Sequence, residues 1–144
     1  MAGKMALTVC LLAGCVWCFT LVERASSAPP SDAAEAFKPV ASIETLMKGQ
    51  DEQFQAIGEL LDDPSIRGRT RKLVMRGELL AELANVNTYH RSDSDYRGWA
   101  SDLRTTSLAL AVEAKKRKDA DNAKMKKLFA QLDTTCNACH DKYQ

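Results

Sequence analysis

The sequence predicts an all-α protein: an antiparallel, up-down-up-down bundle of four helices. Three observations predict it. From about residue 40 onward, apolar residues recur at spacings of three and four, and little reads as strand. Proline interrupts that stretch only at Pro39 and Pro64. Three short polar breaks divide it, "DDP" at 62–64, "HRSDSD" at 90–95 and "DADN" at 119–122. Links this short make sequential helices antiparallel neighbours.

Ahead of the bundle, "MAGK" carries one positive charge, and residues 5–22 then run without any. Residues 1–28 read as an export signal or an N-terminal membrane anchor. Small residues before a cut occur in "SSA", ending at Ala28, and in "AEA", ending at Ala36. "LLAGC", ending at Cys15, has a lipoprotein-like form, but the apolar "VWCFTLV" after it is a poor tether. "ERASSAPPSDAAEAF" at 23–37 is small, polar and proline-containing. It reads as a flexible tether, of which 29–37 would outlast cleavage at Ala28. Residues 38–144 then form one domain with a modest core, which a bound cofactor would enlarge.

The first helix is expected from Pro39 to about Leu61, with Val40, Ile43, Met47, Phe54, Ile57 and Leu61 as its stripe and Gln50 interrupting it. Asp63 is placed to cap the second helix, with Pro64 at its first position. That helix runs to about Tyr89 and turns Leu73, Gly77, Leu80 and Ala84 inward. Asp93 or Ser94 caps the third, which carries Trp99, Leu103, Leu110 and Ala114 and finishes on the basic "KKRK" at 115–118. The fourth starts at "DADN", and Met125, Leu128, Phe129 and Leu132 lead into Cys136, Cys139 and Tyr143.

The chain carries 20 basic and 19 acidic residues, and setting aside Lys4, Glu23 and Arg24 leaves 18 of each. No basic excess supports nucleic-acid binding. The balance also advertises no strongly charged docking patch. No nucleophile–base pair or paired carboxylate stands at a recognisable spacing, so the chain does not read as an enzyme.

The chemistry concentrates at the C-terminal end, in "CNACHDKY". Cys10, Cys15 and Cys18 lie in the export segment, so Cys136 and Cys139 are the only cysteines of the expected domain. Cys-x-x-Cys-His is the attachment signature of c-type haem. On a helix, positions i, i+3 and i+4 share one face. Cys136 and Cys139 can each form a thioether, and His140 can present its imidazole to the iron from the same side. One covalently attached haem c per chain is expected. The rivals are a redox dithiol, which usually follows a strand in a βαβ setting, and a zinc site, which needs more ligands than the motif and His90 supply.

The motif's position on the last of four helices resembles the class II cytochromes c, the cytochrome c-prime group and its low-spin relatives. The resemblance spans roughly Lys38 to Gln144. It rests on Cys136, Cys139 and His140, and more weakly on "LMKGQ" at 46–50. It implies thioethers at the two cysteines, a proximal His140 and a first helix facing the other side of the haem. It also implies a homodimer as one oligomeric state. The chain departs from the family where an Arg-Gln pair often precedes the distal residue, since "SIETL" stands there, and where Gln144 replaces a frequent basic residue.

The sixth iron position decides the function. A methionine there favours low spin and electron transfer, whereas an open position admits a small gas. In the expected bundle Met47 lies level with His140. Met125 is about 22 Å away along the same helix at 1.5 Å per residue. Met75 is at the wrong height, and His90 is at the right end but on the diagonal helix. Leu46 adjoins Met47, and a slight rotation would set it over the iron instead. Arg97 is the candidate partner for the haem propionates, with Arg91, Tyr96, Trp99 and Lys38 nearby. The expectation is a periplasmic electron carrier with His140 and Met47 as iron ligands, soluble or tethered, serving redox partner proteins. The alternative is a five-coordinate haem protein that binds nitric oxide or carbon monoxide.

Overall fold

In a computed structural model, which describes residues 37–143, every regular element is helical and no strand occurs among the described residues. The main helices are α1 (Ile43–Asp62), α2 (Arg69–Asn87), α3 (Ser94–Lys115) and α4 (Asn122–Tyr143), with a 3-10 turn at Arg117–Asp119. The expected signal or anchor at 1–28 and most of the tether lie outside the described residues. No helix among the described residues is long and apolar enough to cross a membrane.

Two helix starts differ from expectation. The first begins at Ile43, not Pro39. Ser42 is the reason: its Oγ accepts from the Thr45 N–H at 3.2 Å, a capping bond that satisfies a free helix donor. Val40 is fully exposed and does not belong to the stripe. The second helix begins at Arg69, not Pro64. Asp63 accepts from the Ser65 N–H at 2.8 Å and from its hydroxyl at 2.6 Å. Such a local bond offers the backbone an alternative to helix. The turn it starts ends at Gly68, whose φ of +72° suits a residue without Cβ. Asp63 therefore closes α1 instead of opening α2. The fourth start is as expected: the Lys124 N–H donates to Asp121 at 3.0 Å.

Cross-helix contacts fix the directions. Between α1 and α4, Asp62 pairs with Lys126 at 3.2 Å and Phe54 stacks on Phe129 at 4.4 Å, while Met47 and His140 share cavities at the other end. Between α2 and α3, Glu78 pairs with Lys115 at 2.7 Å, and Asn87 meets Tyr96 in one cavity. Arg76 donates to Gln53 at 2.8 Å, and Lys142 reaches Asp95. Each helix thus runs opposite to the one before it, and α4 returns beside α1. Gly77 permits the tightest approach: a Cβ there would lie 3.0 Å from the Ser107 carbonyl oxygen and 3.2 Å from the Ala111 Cβ.

The core is filled by Ile57, Leu73, Leu80, Leu110, Met125 and Leu132, each at most 1% exposed. Beyond it, the link from α3 to α4 is tied down by a buried carboxylate. Glu113 is 2% exposed and accepts from Lys116 at 2.8 Å, Lys124 at 2.9 Å and the Asp121 N–H at 3.0 Å. These bonds, Lys116 first, hold its pKa down at about 2 against an ordinary 4.5. Basic residues also collect near this link. Arg67, Arg71, Lys115 and Arg117 gather around one cavity at this end.

The depressed Glu113 pKa sets the sign of its pH effect. Its stabilisation is present above pH 4.5 and is lost as the pH falls towards about 2. Thermal unfolding of Glu113→Gln should show a lower Tm than the parent at pH 7. The difference should shrink through this acid window. A Tm gap that persists unchanged at pH 2 would contradict the assignment.

Candidate functional site

The inward face of α4 changes character after Leu132. Met125 and Leu132 are fully buried, whereas Cys136, Cys139, His140 and Tyr143 on the following turns are only partly covered. The helix continues without a break to Tyr143, so the 3.6-residue period keeps these side chains on the core-facing side. What they face is space. An inner cavity of about 30 Å³ and two flanking ones of about 210 Å³ and 240 Å³ all touch both Met47 and His140.

Cys136 borders the inner cavity and one flanking cavity, and Cys139 borders the inner cavity and the other. Both are free thiols. Burial pushes the Cys136 thiol up to about 11, helped by the nearby Asp133 and Cys139. Burial also raises Cys139, with Asp95 adding and Arg91 opposing. Among the described residues no group of three His, Cys, Asp or Glu is placed to hold a metal ion.

Opposite α4, two neighbours on α1 are placed differently. Leu46 is 5% exposed and packed inward, while Met47 is half-buried and borders all three cavities with His140. The other sulfurs stand apart, Met75 exposed on α2 and Met125 in the core. His90 follows α2 and borders none of these three cavities.

Arg97 turns its Nε to the Arg91 carbonyl oxygen at 3.0 Å and borders none of them either. The arginine that does is Arg91. It lines the flanking cavity that holds Met47, Cys139 and His140. Its guanidinium lies 4.6 Å from the Tyr143 ring centre and 5.7 Å from that of Tyr96. Acidic groups surround this end, with Asp51 and Asp133 on one flanking cavity and Glu44 on the other.

A further latch holds the last turn of α4. Asp95, in the first turn of α3, accepts from the Tyr143 hydroxyl at 2.9 Å and pairs with Lys142. Lys142 and then Tyr143 hold the Asp95 carboxyl down at about 2. Tyr96 and Trp99 pack edge-on to Tyr143 at 5.4 Å and 6.1 Å. The last turn of α4 is thereby pinned to the start of α3.

Three other side chains of the inner cavity are polar and deeply buried. Gln50 is 7% exposed, Asn87 3% and Tyr96 1%. Gln50 Nε2, Asn87 Oδ1 and the Tyr96 hydroxyl have no hydrogen-bond partner among the described residues. Gln50 was visible in the sequence only as an interruption of an apolar stripe. Asn87 had a comparable signal, three residues beyond Ala84 on the inward face of α2, and was missed.

Compared with protein-family models, curated proteins and solved structures, the chain matches none of them.

If Asp95 latches the end of α4, Asp95→Asn should free residues 139–143. Amide hydrogen exchange there should become several-fold faster, while the turns around Leu132 stay protected. Equal acceleration along the whole helix would show that Asp95 supports the bundle generally.

Proposed function

We propose that this chain is an exported monohaem c-type cytochrome that carries single electrons. The reading gives Cys136 and Cys139 thioether links to the haem, and makes His140 and Met47 its iron ligands. One observation carries it. The attachment motif occupies the inward face of α4 across from Met47, and all four side chains border one cavity.

The residues suit the group. Two thiols one turn apart can hold a macrocycle along its edge, and an imidazole beside the second can meet the metal from the same side. Trp99, Leu103 and Ala100 supply apolar wall. When bound, haem iron exchanges one electron between its ferric and ferrous states, at a potential tuned by axial ligands and surroundings. The chain's part is to hold the ring, exclude solvent from it and supply the thioether of Met47. A thioether is a soft ligand that favours the reduced metal and so raises the potential.

The rivals lose support at the same residues. A redox dithiol works through a thiolate of lowered pKa, and both thiols here are raised. A structural zinc site takes four ligands, usually as Cys and His, and the described residues bring together no three donors.

By the same reading the protein works in the periplasm, free or tethered by its N-terminal segment, and belongs with the class II cytochromes c. Its partners are redox proteins, with a homodimer as one form. Arg97 and Arg91 are the cations offered to the propionates, and the cavity contacts favour Arg91. A second reading has one observation behind it. Met47 borders free space in all three cavities, leaving room for an open iron that binds nitric oxide or carbon monoxide.

Visible absorption of protein made with c-type maturation machinery tests the proposal. Sharp, split bands on reduction are expected, and haem should stay with the polypeptide on a denaturing gel. Protein without haem would end the reading. Met47→Leu should give broad high-spin bands and ready carbon monoxide binding. An unchanged spectrum in that variant would eliminate Met47 as a ligand.

A further inference from the structure

A cavity of about 490 Å³ lies at the Glu113 end of the bundle, between the start of α2 and the end of α3. Four of the residues lining it are cations, Arg67, Arg71, Lys115 and Arg117, and none is acidic. Lys115 has a carboxylate partner in Glu78 at 2.7 Å. The other three form no ion pair among the described residues. The arginines that do find hydrogen-bond acceptors are Arg69, Arg76 and Arg97. Like charges gathered in this way repel one another, and a bound anion relieves the repulsion.

The α2 wall adds backbone donors. Gly68 precedes the helix and has no side chain to cap it. The Arg69 and Lys72 N–H groups donate to the Ile66 and Gly68 carbonyl oxygens at 3.1 Å each. Those of Thr70 and Arg71, between them, belong to the first turn and have no backbone acceptor among the described residues. Both residues line the cavity, and N–H groups at a helix start carry the positive end of its dipole. On the α3 side, Arg117 is held at a φ of +58°, which a residue with a Cβ rarely adopts. Outliers of this kind cluster at ligand sites. The cationic side chains are exposed. Each attracts an anion from a distance, so they need not converge before it arrives.

We propose that this cavity binds a phosphate-bearing anion of at least two negative charges, of the diphosphate class. Guanidinium forks match phosphate oxygens in pairs, and three unpaired arginines exceed what a single monoanion can use. The volume of about 490 Å³ falls within the roughly 300–1,000 Å³ of small-molecule sites. The site stands apart from the haem reading. Asn87, which borders the inner cavity, lies sixteen residues beyond Arg71 on α2, about 24 Å at 1.5 Å per residue. It does bear on the link from α3 to α4. Lys115 and Arg117 flank Lys116, which holds Glu113 at 2.8 Å, so a bound anion ties the start of α2 to that link.

Calorimetric titration of the full chain with inorganic pyrophosphate, at about 0.15 M salt to screen diffuse attraction, tests the proposal. Saturable binding of one pyrophosphate per chain is expected, with a Tm that rises as pyrophosphate is added. Arg71→Gln should weaken binding by roughly tenfold or more, as the loss of charge-assisted hydrogen bonds implies. Lys126→Gln removes the same charge from the same end, but Lys126 pairs with Asp62 and does not line the cavity. Its effect should stay within about twofold. Equal losses in the two variants would show only a diffuse positive field and overturn the proposal. Sedimentation with vesicles containing phosphatidic acid distinguishes the source of the phosphate. Vesicle binding that Arg71→Gln abolishes, without pyrophosphate binding, would assign the site to a lipid headgroup. Binding to neither probe would overturn the proposal. The haem bands of the same samples report separately on the electron-carrier reading, so either idea can fail without the other.

Discussion

The register of α1 against α4 is the constraint on which the rest depends. Phe54 stacked on Phe129, and Asp62 paired with Lys126, set how far the two antiparallel helices slide past each other. One helical turn is about 5.4 Å. A slip of that size would carry Met47 away from His140 and bring Ile43 or Gln50 to its level. The packed end thus decides what meets at the hollow end. The site is positioned by contacts about two turns or more away from it.

The two ends are built on different principles. At one, Glu113 gathers two lysines and a backbone donor, so a buried charge is fully partnered. At the other, neutral polar groups are buried with no partner among the described residues. The first arrangement rigidifies the turn from α3 to α4, because removing a lysine leaves the buried Glu113 charge short of a partner. The second leaves buried polar atoms unpaired on residues that line the inner cavity. The charges follow the same division. Basic residues cluster around the Glu113 end, and Asp51, Asp133 and Glu44 border the site.

Much of this was legible in the residue order. The helical period, the three polar breaks and the Cys136–His140 spacing are local properties, and helices follow them because their hydrogen bonds close within four residues. Helix starts were less legible. Ser42 and Asp63 were decided by competition between side-chain and backbone partners, and Pro64 offered a start that the Asp63–Ser65 turn took away. Arg91 and Arg97 could not be separated by order alone, since both flank the same loop. Only the packing of Tyr96 and Tyr143 gave Arg91 an aromatic seat and left Arg97 bonded to its carbonyl oxygen.

The sequence by itself determined an all-helical chain of four segments and put two thiols and an imidazole on one face of the last. Spacing alone suffices for that, because three and four residues complete a turn. The tertiary structure decided which side chains look at that face. It set Met47 on the cavities and packed Leu46 inward. It turned Gln50 from a break in a stripe into a buried lining residue of the inner cavity, shared with Asn87 and Tyr96 from two other helices. No local pattern encodes those meetings. They follow from the rotation and slide of whole helices against each other, which the packing of distant core residues fixes.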